Sequence, residues 1–223
     1  FTLPEGKEYL VNFIDTVKIK SDLQKADNKG ADVKIVYLHF GSEYKKEPSR
    51  NQRKVVEFLK ENGAEIIIAS HPHVLQPIEK FAIKDTNSLL DTGFVAYSLG
   101  NFISNQRWRY SDCGVILNFS LKKNLFSEKI ELNELSYIPF WVYKGYYNKK
   151  RVYKILPSEL SVVNNYPSYL PDSSKQKMAQ SFNDTKKIIN KYQKIQLKSV
   201  LDTNNSIRIP QNTHLSYKPN LYY

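Results

Sequence analysis

The sequence predicts an α/β fold, on three observations. Short apolar and β-branched runs alternate with amphipathic helical segments through the first half of the chain. Three of those runs end in polar clusters: His39-Phe40-Gly41, Ser70-His71-Pro72-His73 and Gly100-Asn101-Phe102. The composition is that of an ordinary globular chain, with 41% hydrophobic and 25% charged residues among 223, and sixteen Tyr and eleven Phe to fill a core.

Taken in order, a helix is predicted over 16–29, where Ile19, Leu23 and Ala26 share a face and Gly30 supplies the stop. Val33 to Leu38 is a continuous apolar run, expected to be a strand buried on both faces. Pro48 suits the first turn of a helix reaching about Asn62, with Val55, Val56 and Leu59 inward and Gly63 closing it. Glu65 to Ala69 reads as a second buried strand. Residues 84–92 are polar and read as a surface loop, and Phe94 to Leu99 as a third strand. Gly114 to Leu121 alternates Val115, Leu117, Phe119 and Leu121 with more polar or outward positions. It predicts a half-buried strand, paired through a turn near Asn124 with Lys129 to Ile138. Residues 139–171, rich in Pro and Tyr, are expected to be irregular. A long helix is predicted over about 174–197, with Met178, Phe182, Thr185, Ile189 and Tyr192 on one face. Beyond Asp202 no periodicity remains, and a wrapping or loose tail is expected.

Several function classes fall away. No apolar run approaches the ~20 residues of a membrane span, and the single Cys113 excludes an internal disulfide framework or a Cys-rich zinc site. Cys113 itself reads as structural, since nothing nearby marks an activated thiolate. The chain opens at Phe1 without Met, a charged n-region or an apolar h-region, so no targeting signal is visible and it reads as a processed or trimmed piece of something longer. The net charge is +11, divided unevenly: residues 1–121 carry 16 basic and 15 acidic side chains, residues 122–223 carry 17 and 7. Such a surface attracts polyanions or is merely a solvated Lys-rich face. No zinc knuckle, recognition helix or RNP motif accompanies it, so nucleic acid is not an expected partner.

The polar clusters carry the chemistry. In α/β folds ligands collect beyond the carboxyl ends of the strands. His71 and His73, two apart in an extended segment, can project to one side, and Pro72 restricts the backbone between them. His39 ends a separate strand and can join them at the same sheet edge. Imidazole suits zinc, iron, manganese or nickel, although a lone His-x-His is also a common surface or core feature. Glu43 fits a ligand, a group orienting a ligand or a proton donor, or else a plain loop carboxylate. Gln76 and Glu79 can line the same cleft or be solvated. Asn101 can contact a metal or anion or simply fill a turn. Gln106, Arg107 and Arg109 can bind an acidic substrate or belong to an exposed loop. Ser98 lacks a nucleophile elbow, and His214 stands apart in the tail.

These segments resemble a known family. His39-Phe40-Gly41-Ser42-Glu43-Tyr44, then Pro48 and Gln52, then Ser70 to Glu79, then Tyr97-Ser98-Leu99-Gly100-Asn101-Phe102 resemble the CapA family of capsule or poly-γ-glutamate synthesis proteins. That family looks related to calcineurin-like metallophosphatases, and Phe40 stands where it usually has Trp. The match runs from about Leu10 to Pro157. The resemblance implies part of a metallophosphatase-like α-β-β-α sandwich with a mixed sheet, comprising residues 1–157, followed by a C-terminal helix and tail at 158–223. It implies a divalent metal (Mn, Zn or Fe) on His39, His71 and His73, catalytic roles for Glu43, His73 and Asn101, and substrate contacts from Tyr44, Gln52, Gln76, Glu79, Gln106 and Arg107. The implied setting is the bacterial cell surface, reached through a membrane segment outside this chain. The implied partners are an anionic polymer such as poly-γ-glutamate or a phosphoester, together with other capsule-synthesis membrane proteins. The family's early Gly-Asp and Asn-Asn-His motifs do not occur here. The chain is therefore expected to be the C-terminal portion, inactive as a hydrolase without the missing N-terminal segment. A non-enzymatic polymer-binding or scaffold role is the competing expectation.

Overall fold

A computed structural model of the chain describes residues 4–7 and 10–201. Helix α1 (Thr16–Asn28) starts at Asp15, whose carboxylate accepts the Val17 and Lys18 N–H groups, one of the standard ways of satisfying a helix's orphan donors. Strand β1 (Ile35–His39) leads to α2 (Arg50–Glu61). Pro48 precedes α2 rather than occupying its first turn, because Ser49 takes the cap: its hydroxyl accepts the Gln52 N–H while the Gln52 side chain accepts the Ser49 N–H. Strands β2 (Ile66–Ser70), β3 (Ile78–Ala82) and β4 (Thr92–Ala96) complete a mixed sheet of order β1-β2-β4-β3, parallel except for β3.

The second sheet is antiparallel. It comprises β5 (Cys113–Lys123), β6 (Ile130–Tyr147) and β7 (Lys150–Pro157), with the short β8 (Gln196–Leu197) parallel to β6. A 3-10 turn (Ser158–Ser161) and helix α3 (Asp172–Ile189) follow β7. The chain is thus α/β, as its patterning predicts.

Two cores hold the fold. Leu38, Phe40, Ile67, Ala69, Val95 and Tyr97 face Leu23 of α1 and Val56 and Leu59 of α2. On the other side of the first sheet Ile66, Ile78, Phe94 and Ala96 meet Val115, Leu135, Tyr137 and Trp141 of the second sheet and Met178 and Ile189 of α3. Just past α3, the Gln193 side chain donates to the Lys80 carbonyl and accepts the Lys80 N–H, closing the otherwise open edge of β3.

Four expectations change. β1 is an edge strand and not one buried on both faces: Ile35 and Tyr37 are 52% and 64% exposed, because the second sheet does not extend over that side. A fourth strand, the antiparallel β3, occupies residues read as cleft polarity. The stretch 139–171 is largely ordered as the β6–β7 ladder, favoured by its β-forming Tyr and Val residues. Pro139 is tolerated because it sits where β6 has left β8 and has not yet met β7. The last helix stops at Ile189, since the Asn190 side chain turns back on Lys186 and offers its oxygen to the Ile195 N–H. The expected tail beyond Asp202, His214 included, lies outside the described residues.

Candidate metal centre

Parallel pairing in register sets His39 opposite Ser70, so β1 and β2 end together and deliver His39 and His71 to the same edge. His71 Nδ1 and His39 Nε2 are 3.0 Å apart. The His71 and His73 rings lie 6.0 Å apart, centre to centre. The two segments are locked to each other by the Phe40 N–H on the Ser70 carbonyl and the Tyr44 N–H on the Pro72 carbonyl.

The backbone here is held away from ordinary conformations. Tyr44, His71 and His73 have φ of 62°, 116° and 59°, and non-glycine residues at positive φ persist only where surrounding contacts over-determine them. Gly41, at φ 111°, is needed for a second reason: a Cβ there would sit 2.7 Å from the Gln52 amide.

His73 has a defined tautomer. The Asn101 amide nitrogen donates to Gln106 Oε1 and to the Ser111 carbonyl, leaving its oxygen as an acceptor 2.9 Å from His73 Nδ1. Nδ1 therefore carries the proton, and the lone pair on Nε2 is free. This is how ligand histidines are ordinarily oriented by a second hydrogen bond. That Nε2 stands 3.8 Å from the Glu43 carboxylate. The Tyr44 ring stacks on His73 at 5.8 Å and meets Trp108 edge-on at 5.2 Å, with Gln106 Nε2 donating to its hydroxyl. Desolvation and the neighbouring Glu43 carboxylate push the Tyr44 phenol up.

The donor set suits a divalent ion in part. Two imidazole nitrogens bound at 2.0–2.1 Å and at right angles to one ion stand about 2.9 Å apart, close to the 3.0 Å of His39 and His71. His73 and Glu43 form a second, adjacent pair. Among the described residues no three His, Cys, Asp or Glu groups are arranged to enclose an ion together.

The other named residues divide. Gln52 and Gln76 are 1% and 0% exposed and hydrogen-bond each other beneath the 45–49 loop, with Gln76 also donating to the Lys45 and Glu47 carbonyls. They brace the site and do not face its opening. Glu79 lies on β3 and pairs with Arg53. Arg107 donates to the Val142 carbonyl and lies over the Trp141 ring, and Arg109 is clasped by Asp184 of α3. Sequence reasoning missed Trp108, half exposed beside Tyr44. Its place in the loop following Asn101, as one of only two tryptophans, was the available signal.

Comparison with known proteins relates part of the chain to a described family. Residues 1–106 match the family described as "Bacterial capsule synthesis protein PGA_cap". The chain is 36% identical over 122 residues to the PGA biosynthesis protein CapA of Bacillus subtilis (strain 168), covering 55% of this chain and 27% of that protein. It is 31% identical over 140 residues to the capsule biosynthesis protein CapA of Bacillus anthracis, covering 61% and 32%. The matches span about a quarter to a third of each relative's length.

Proposed function

We propose, from the match of residues 1–106 to the bacterial capsule synthesis protein family, that this chain serves capsule or poly-γ-glutamate biosynthesis in the cell envelope and carries part of a metallophosphoesterase-like site. No helix among the described residues is long and apolar enough to cross a membrane. The observation that carries the reading is the meeting of His39 and His71 beside a His73 whose tautomer is fixed by Asn101.

His39 and His71 would hold one divalent cation (Mn, Zn or Fe). Such an ion polarises a phosphoryl oxygen and acidifies bound water. His73, with its free Nε2 beside Glu43, is the group placed to move a proton to or from a leaving oxygen. Tyr44 and Trp108 offer an aromatic wall against which a substrate can be oriented. A hydrolytic centre ordinarily has three or more protein ligands. We therefore expect this chain by itself to hold one ion weakly and to lack turnover.

A second reading rests on a separate feature. Tyr146 and Tyr153, on one face of the β6–β7 ladder, are exposed beside Arg151, with Lys144 Nζ 5.7 Å from the centre of the Tyr153 ring. This face fits a polyanion, and supports a polymer-binding scaffold. Mn²⁺ binding by the chain and its loss in His71→Ala, set beside retention on immobilised poly-γ-glutamate, separates the two. Mn²⁺-dependent turnover that survives His71→Ala would refute the site assignment. Polymer retention unchanged by substituting Lys149, Lys150 and Arg151 together would refute the second reading.

A further inference from the structure

The turn between β5 and β6 places Leu125 and Phe126 at its tip, 85% and 101% exposed. Exposure this complete at two adjacent large apolar residues is costly in water and marks an interaction site when it is built in. It is built in here. Asn124 Oδ1 accepts the Phe126 and Ser127 N–H groups at 2.9 and 3.1 Å, and the Asn124 N–H closes on the Lys129 carbonyl at 2.8 Å. The tip is therefore a tied turn that directs both side chains outward.

We propose that this tip is a membrane-docking wedge for an anionic lipid surface. The apolar pair is narrow and convex, and its neighbours Lys122, Asn124, Ser127, Glu128 and Lys129 are all exposed and polar. A folded protein partner would be met by a wider apolar border, whereas a bilayer accepts two side chains between its headgroups. Charge favours the anionic surface: residues 122–129 carry three lysines and one glutamate. Lys123 is tied to Asp32, while Lys122 and Lys129 flank the pair. Lysines so placed reach headgroup phosphates while the apolar side chains enter the acyl boundary.

The wedge also sets an orientation. β5 runs from Cys113, beside the loop that holds Asn101, to Lys123 at the base of the tip. Eleven residues of strand extend about 37 Å at ~3.4 Å each. With the tip in the lipid, the histidine edge stands far from the membrane and faces away from it. The proposal does not depend on what the histidines do.

The test uses the whole 223-residue chain and vesicles of phosphatidylcholine with equal phosphatidylglycerol, or phosphatidylcholine alone. Co-sedimentation is expected with the mixed vesicles and weaker with the neutral ones. Leu125→Ser combined with Phe126→Ser, both at fully solvated positions, should lower binding by about tenfold or more. Lys122→Glu with Lys129→Glu should remove the preference for phosphatidylglycerol. Because Cys113 is buried, Ser127→Cys can carry a single environment-sensitive dye, whose emission should shift to the blue on the mixed vesicles. Failure of the parent chain to bind, undiminished binding by the Leu125/Phe126 variant, or a dye that stays in water would each overturn the proposal.

Discussion

Replacing Gln76 by Leu tests how the histidine edge is held. The side chain is wholly buried, and its amide makes three hydrogen bonds: it accepts from Gln52 Nε2 at 2.8 Å and donates to the Lys45 and Glu47 carbonyls at 2.8 and 3.1 Å. Leucine has nearly the same volume, so no large cavity opens. What it removes is polar satisfaction. The Gln52 amide nitrogen loses its partner in a site without water access, and a buried donor left unpaired costs about 1–3 kcal/mol. The two carbonyls belong to exposed residues of the 45–47 loop. Water can partly replace their partners once the loop lifts, so they add about 1 kcal/mol together. The expected loss is about 2–4 kcal/mol. For a chain of this size each kcal/mol lowers Tm by about 2–4 °C, giving a drop of about 4–16 °C in calorimetry or circular dichroism. Proteolysis should begin in the 41–49 segment, which the pair no longer anchors. A change within about 0.5 kcal/mol, with the segment still protected, would show that Gln52 and Gln76 are not the brace.

Two further outcomes follow from the titrating groups. Burial raises the Glu47 carboxyl but is outweighed by hydrogen bonds from Lys191 and Tyr192, so its pKa is lowered overall. A depressed carboxylate contributes stability above its ordinary value of 4.5 and loses it as pH falls through the folded value. Glu47→Gln should therefore lower stability at neutral pH and flatten the acid limb of a stability-against-pH curve, with variant and parent converging below the folded value. Burial pushes the Cys113 thiol up to about 12, which leaves almost no thiolate at neutral pH. Thiol reagents should label it only on unfolding, and rapid labelling of the native chain at pH 8 would contradict its place in the core.

The parts of this molecule that were legible in the sequence are those where one residue pattern has one physical solution. The apolar runs that lead into His39, Ser70 and Gly100 read as strands, and parallel pairing of β1, β2 and β4 brings their ends together. The edge exposure of Ile35 and Tyr37 was not legible, because an apolar run does not say where the facing sheet stops. β3 was missed since Ile78-Glu79-Lys80-Phe81 is short and mixed in polarity, its edge being satisfied from afar by Gln193. The β6–β7 ladder was hidden by Pro139, which reads as a breaker until the change of strand partners is known. At the site, the histidines announced themselves by type and spacing. The tautomer of His73 did not, as it depends on Asn101, Gln106 and Ser111 folding around it from a later loop. Gln76 read as a cleft residue, and Gln52 as a substrate contact by resemblance, because polarity alone does not distinguish a buried clasp from a solvated contact.

The claim at the centre of this account is that His39 and His71 share one divalent cation. Calorimetric titration of the chain with Mn²⁺ and Zn²⁺ tests it directly. One ion should bind weakly per chain, with binding lost in His39→Ala and in His71→Ala. Tight binding of two ions, or binding untouched by either substitution, would contradict it.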